Sequence, residues 1–134
     1  VTVTRSETLP IRSGDDVVRV RQRVRTLAVE IGLGLVDQTK IITAASELAR
    51  NTLDYGGGGD VRAEVVQSGM RKGLRLTFED QGPGIADIEQ ALTDHYTSGG
   101  GLGLGLGGAR RLSNEFHIAS TPGVGTRVMI ARWK

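Results

Sequence analysis

Glu47 and Asn51 stand four residues apart in a segment with helical periodicity, which places them on one face, one turn above the other. A carboxylate can accept a proton and an amide oxygen can ligate a hard cation such as magnesium, so the pair can divide the labour of a general-base reaction. The same residues also read as a solvated glutamate and a polar residue near a helix end. Asp80 follows Leu74, Leu76 and Phe78 in alternation, which carries it to the core side of a strand end. A carboxylate is costly there unless donors satisfy it, and a donor-rich ligand such as the exocyclic amine of adenine would do so. In Asp80-Gln81-Gly82-Pro83-Gly84, the two glycines let backbone approach a flat ring closely. A strand-ending turn capped by Asp explains the segment equally well.

The third feature is glycine itself. Seven of the 20 glycines fall between Gly99 and Gly108, interleaved with Leu102, Leu104 and Leu106. Free N–H groups and the dipole at a helix N-terminus attract phosphate, and missing side chains let it come close. The regular leucines would pack once the helix forms, which weakens the reading as a linker. Gly103, Gly105 and Gly108 satisfy G-x-G-x-x-G, but no strand directly precedes them and no acidic residue follows at about 20 positions to hold a ribose, so a dinucleotide fold is excluded. A Walker loop is excluded as well, because none of Lys40, Lys72 and Lys134 follows a glycine.

Composition narrows the remaining chemistry. The absence of cysteine removes disulfides, thiolate metal sites and cysteine nucleophiles, and His95 and His117 are the only imidazoles. Any metal is therefore expected to be held by oxygens. With 17 basic against 15 acidic side chains and 4% aromatics, the chain lacks both the charge and the stacking surface of a nucleic-acid binder. No apolar run is long enough to span a bilayer and the start does not read as a signal sequence, so the expectation is a cytoplasmic protein. Arg19, Arg21, Arg23 and Arg25 read first as a solvated helix face and second as a docking surface for an acidic partner.

The elements that must position these residues follow from periodicity. After an alternating start, Val17, Val20, Val24, Leu27, Ala28 and Ile31 predict a first helix, with Ser13 as its cap, Asp15 and Asp16 in its first turn and Gly32 as its left-handed stop. Asp37 restarts a helix that carries Ile41, Ile42, Ala45, Leu48 and Leu53 toward the core and ends at the Gly56 to Gly59 tract. A hairpin follows, its strands centred on Val61 to Val65 and Leu74 to Phe78. Then come a short helix at Asp87 to Thr93, a loop at Tyr96 to Gly101 and a helix at Leu104 to Leu112. Strands at Phe116 to Ser120 and Thr126 to Trp133 close the chain. The expected fold is α+β, a two-layer sandwich with helices on one face of a mostly antiparallel sheet, in a single domain spanning residues 1–134.

Four segments taken in order, Glu47-Leu48-Ala49-Arg50-Asn51, Asp80 to Gly84, Gly101 to Gly108 and Gly123-Val124-Gly125-Thr126, resemble the N, G1, G2 and G3 boxes of the GHKL ATPase superfamily. The whole length is similar to the RsbT-type serine/threonine kinases that act on STAS-domain proteins of the stressosome. The resemblance implies a Bergerat nucleotide fold with ATP and Mg2+ as cofactors. It implies Glu47 as the catalytic carboxylate and Asn51 as the magnesium ligand. It places nucleotide contacts at Asn51, Asp54, Asp80, Gly82, Gly84, Gly101, Gly103, Leu104, Gly105, Leu106, Gly107 and Thr126, with the 94 to 105 segment as an ATP lid. STAS-domain proteins are the implied partners, with a PP2C-type protein phosphatase as a second. The alternative is an anti-sigma factor that sequesters a sigma subunit and phosphorylates its antagonist. Between Asp94 and Ala109 the only potential cation is His95, so phosphate charge falls to magnesium, backbone N–H groups and the helix end, and slow turnover is expected.

Overall fold

The computed structural model describes residues 1–92 and 104–134. It opens with a strand, β1 (Thr2–Ile11), followed by helices α1 (Gly14–Glu30) and α2 (Leu35–Asp54). The hairpin β2 (Gly59–Ser68) and β3 (Arg71–Asp80) comes next, then short α3 (Ile88–Ala91), α4 (Leu104–Arg111), β4 (Glu115–Thr121) and β5 (Gly125–Trp133). The five strands lie in the order β1-β2-β3-β5-β4, each neighbouring pair antiparallel.

Local chemistry accounts for the helices. Ser13 caps α1 by accepting the Asp16 N–H at 3.3 Å, and Gly32 ends it with φ +85°. Helix α2 starts at Leu35, two residues before Asp37, because Gly34 takes the cap position. Asp37 instead anchors the first turn to the sheet: Arg132 on β5 donates to it from Nε at 3.0 Å and Nη2 at 2.8 Å, and from Nη1 to the Leu112 carbonyl at 3.0 Å. Asp87 caps α3 through the Gln90 N–H at 3.0 Å. The expected extension of this helix to Thr93 passes beyond the described residues.

The core lies between the helices and one sheet face. Val17, Val20, Val24 and Leu27 of α1 and Ile41, Ala45 and Leu48 of α2 meet Leu74, Leu76 and Phe78 of β3, all nearly inaccessible to water. Burial of one such large side chain contributes about 1.5–3 kcal/mol. The opposite face stays open, with Arg62, Glu64, Arg75, Thr77, His117 and Arg127 lining a shallow groove.

Strand β1 is the element that periodicity did not reveal. It is an edge strand, exposed along most of its length, and its register shifts between Val3 and Arg5, so the apolar alternation lapses early. On its inner side Leu9 and Ile11 pack into the core, while Arg5 and Glu7 reach α1 by ion pairs, Arg5 to Glu30 at 2.7 Å and Glu7 to Arg23. Arg19 pairs with Asp16 at 2.7 Å and Arg21 donates to Ser46 Oγ at 3.0 Å. Three of the four arginines expected on a free face therefore serve contacts within the chain.

Candidate functional site

One cavity gathers residues from four elements. Leu48, Asn51 and Thr52 come from α2 and Tyr55 from its C-cap, Phe78 and Asp80 from β3, Leu106 from α4, and Thr126 and Val128 from β5, with Ile85 from the loop after β3. Apolar walls with a few convergent polar groups are the usual make-up of a small-molecule site. The free interior volume is about 20 Å³, room for little more than one water. Leu106, 2% exposed, forms part of the wall.

Asp80 is 9% exposed, at the strand end where alternation placed it. Burial pushes its pKa above the ordinary carboxylate value, the backbone N–H groups of Gly82 and Thr126 pull it back down, and the neighbouring Glu79 charge adds a smaller upward push. Its Oδ1 accepts the Gly82 N–H at 2.9 Å. The backbone around it is packed without side chains. A Cβ at Gly56 would collide with the Asp80 carboxyl, and one at Gly82 would lie 2.7 Å from the Gly56 Cα. Gly84, at φ +74°, lies against the Thr121 carbonyl. Gly82 and Gly84 thus lie against neighbouring backbone.

Asn51 also lines the cavity, and its amide nitrogen is buried without a hydrogen-bond partner among the described residues. Such an orphan costs about 1–3 kcal/mol, which fits a group whose partner arrives with a ligand. Glu47, one turn earlier, is exposed at the helix surface and outside the cavity lining. Asp54, at the end of α2, is exposed and outside it as well. Thr126 faces the cavity, and Gly107 is buried beside Leu106 in α4, which Leu104 and Gly105 open. Gly101, Gly103, His95 and most of the 94 to 105 segment lie outside the described residues. His117 is exposed on the open sheet face.

Several supporting residues gave no signal in the sequence. The Tyr55 hydroxyl donates to the Gly84 carbonyl at 2.8 Å, the Ile85 N–H to Ser120 Oγ at 2.7 Å, and the Gly123 N–H to the Pro83 carbonyl at 2.8 Å. These bonds clamp the loop after β3 to α2 on one side and to the β4–β5 turn on the other. Their partners are 29 and 35 residues apart for the first two, beyond the reach of any local pattern.

An antiparallel sheet thus carries helices on one face, with a buried acid, an amide and the start of α4 around one cavity. Residues 36–134 match the model of the histidine kinase-, DNA gyrase B- and HSP90-like ATPases, and the chain belongs to that family. Within it, the chain is 47% identical to serine/threonine-protein kinase RsbT of Bacillus subtilis over 88% of its own length and 89% of the relative's. It is also 31% identical to an anti-sigma F factor of Clostridium novyi, covering 70% of this chain and 69% of that one. Among solved structures, the RsbU and RsbW domains of a Mycobacterium tuberculosis protein superpose with a TM-score of 0.66 at 20% identity, over 96% of this chain and 32% of theirs. That last likeness concerns the fold. Among the described residues, no helix is long and apolar enough to cross a membrane.

Proposed function

We propose that the chain is a magnesium-dependent protein serine/threonine kinase that transfers the γ-phosphoryl group of ATP to a hydroxyl on a STAS-domain partner in a partner-switching pathway. The observation that carries this reading is the pocket in which Asp80, Thr126 and the unpartnered Asn51 amide converge between α2 and the sheet. Asp80 offers only acceptors to the exocyclic amine of adenine. The Asn51 amide oxygen would hold Mg2+ together with phosphate oxygens, since no group of three or more acidic or His residues forms an ion site among the described residues. Bound there, the cation supplies charge neutralisation to the phosphates.

Glu47 stands at the solvent edge, where a protein hydroxyl can reach it. In the proposed transfer the acceptor oxygen forms its bond to the γ-phosphorus as the bond to the ADP oxygen breaks, and the hydroxyl proton passes to Glu47 and then to water. A base in this position contributes about 10² to 10⁴ in rate. The N-terminus of α4, with Gly105 and Gly107 next to it, suits the phosphates, and Gly101 and Gly103 extend the same run. The proposed acceptor is a hydroxyl on a separate protein; His117 sits on an open strand face rather than on a helix that could present it. A PP2C-type phosphatase is the second proposed partner, bound once the kinase is released.

Incubation with labelled ATP, Mg2+ and a host extract tests the reading. Label on serine or threonine of a STAS-domain protein is expected, and label on histidine, or none, contradicts it. Similarity to the anti-sigma F factor favours a second reading, sequestration of a sigma subunit with phosphorylation of its antagonist. Capture of a sigma subunit by the immobilised chain would favour that alternative.

A further inference from the structure

The sheet face turned away from the helices bears one row of residues that crosses all five strands: Thr8, Arg62, Thr77, Met129 and His117 stand opposite one another in register. At the usual strand spacing the row is about 19 Å long. Thr77, at its centre, is 9% exposed and lines two adjoining grooves, and its hydroxyl has no hydrogen-bond partner among the described residues. Such a hydroxyl is a cost that an arriving polar group removes. The cations beside it are unequally engaged. Arg75 donates from Nε to Glu64 at 3.0 Å and is held there. Arg62 lies 3.8 Å from the same carboxylate and Arg127 lies 4.0 Å from that of Glu79, both beyond hydrogen-bond length, with 54% and 60% of their side-chain surface exposed. Three arginines against one glutamate line the groove that reaches from Arg62 to His117, a surplus of two positive charges.

The geometry points to this row as a docking site for an extended acidic segment of a partner protein, with its carboxylates on Arg62 and Arg127 and a hydrogen bond from the Thr77 hydroxyl. The surplus of positive charge selects the sign of the occupant. The length selects its kind, because a small anion covers one point of the row whereas about six extended residues span it. Ion pairs as exposed and as long as those of Arg62 and Arg127 are weak, so each guanidinium turns to a better-placed carboxylate at little cost. Phe78, the next residue after Thr77, faces the cavity on the other side of the sheet. A partner held on the row therefore leaves that cavity uncovered, and the inference does not depend on what fills it.

Fluorescence anisotropy of a labelled decapeptide of alternating Glu and Val, titrated with the full chain, tests the assignment. Saturable binding that weakens as salt rises is expected, and none for the same peptide with Gln in place of Glu. Arg62→Ala and Arg127→Ala are each expected to weaken binding about fivefold. Thr77→Val, which keeps the shape and removes the hydroxyl, is expected to cost a similar factor. Arg75 is left in place, because its removal would strip Glu64, 8% exposed, of its donor. Glu79→Gln is expected to tighten binding about twofold by releasing Arg127, a gain that damage to the fold would not produce. Unchanged affinity in both arginine variants overturns the proposal, as does equal affinity for the Gln peptide or no saturable binding by the unaltered chain. Should Thr77→Val not fold, the arginine variants and Glu79→Gln decide. Full displacement of the peptide by millimolar inorganic phosphate at constant ionic strength would assign the row to a small anion and overturn the protein segment as its occupant.

Discussion

Gly56, just past the end of α2, and Asp80, at the end of β3, occupy contiguous space, and the acid's position exists only because the glycine has no side chain. The end of one element thus sets the chemistry of another. Gly56→Ala must push the carboxyl aside. A loss of about 1–3 kcal/mol in stability is expected from this overpacking, with weakened adenine-nucleotide affinity. Urea unfolding and calorimetry measure the two; unchanged values for both would mean that the carboxyl tolerates displacement.

Asp80 is held in an environment that raises its pKa, burial being the largest cause. Between its unfolded and folded pKa the native state therefore binds more protons than the unfolded state, and stability contributed by this group falls as pH rises through that window. At neutral pH the carboxylate is a cost to the fold. Asp80→Asn is expected to raise the unfolding midpoint at pH 7 more than at pH 4 while weakening ATP binding. A variant that loses stability at pH 7 would contradict this account of the acid.

Much of this was readable from residue order. Alternation through Leu74, Leu76 and Phe78 places Asp80 inward, and helical spacing puts Glu47 and Asn51 on one face, of which only Asn51 reaches the cavity lining, because such patterns act over a few residues. Ser120, Tyr55 and Gly56 were not readable as site residues. Gly56 reads only as a helix stop, and the contacts of Ser120 and Tyr55 arise from the pairing of β4 with β5 and from the packing of α2 on the loop after β3. Strand β1 is legible only in part, since the alternation of Val1 and Val3 gives way to Arg5 and Glu7, which meet α1 as ion pairs, before Leu9 and Ile11 return to the core.

Glu47 is exposed and lies outside the cavity lining, so its removal separates chemistry from binding. Glu47→Gln is expected to leave stability within about 0.5 kcal/mol and to keep nucleotide affinity. Phosphotransfer should fall by about 10² to 10⁴. Single-turnover transfer to the purified partner gives the answer, and undiminished transfer would remove Glu47 from the mechanism.

The Asp37–Arg132 pair joins the first turn of α2 to β5. The Arg132 side chain is only 13% exposed, so Asp37→Ala leaves a largely enclosed guanidinium without its carboxylate. A cost of about 1–2 kcal/mol is expected, with nucleotide affinity unaltered because neither residue lines the cavity. Denaturant midpoints of the two chains, with calorimetry alongside, check both statements.

The most direct test is a calorimetric titration of the unaltered chain and of Asp80→Asn with Mg-ATP. A saturable one-to-one isotherm for the former, weakened at least tenfold in the latter, is predicted from loss of a charged buried acceptor. Equal isotherms for the two chains, or no heat from the unaltered one, would contradict the assignment of this pocket to the nucleotide.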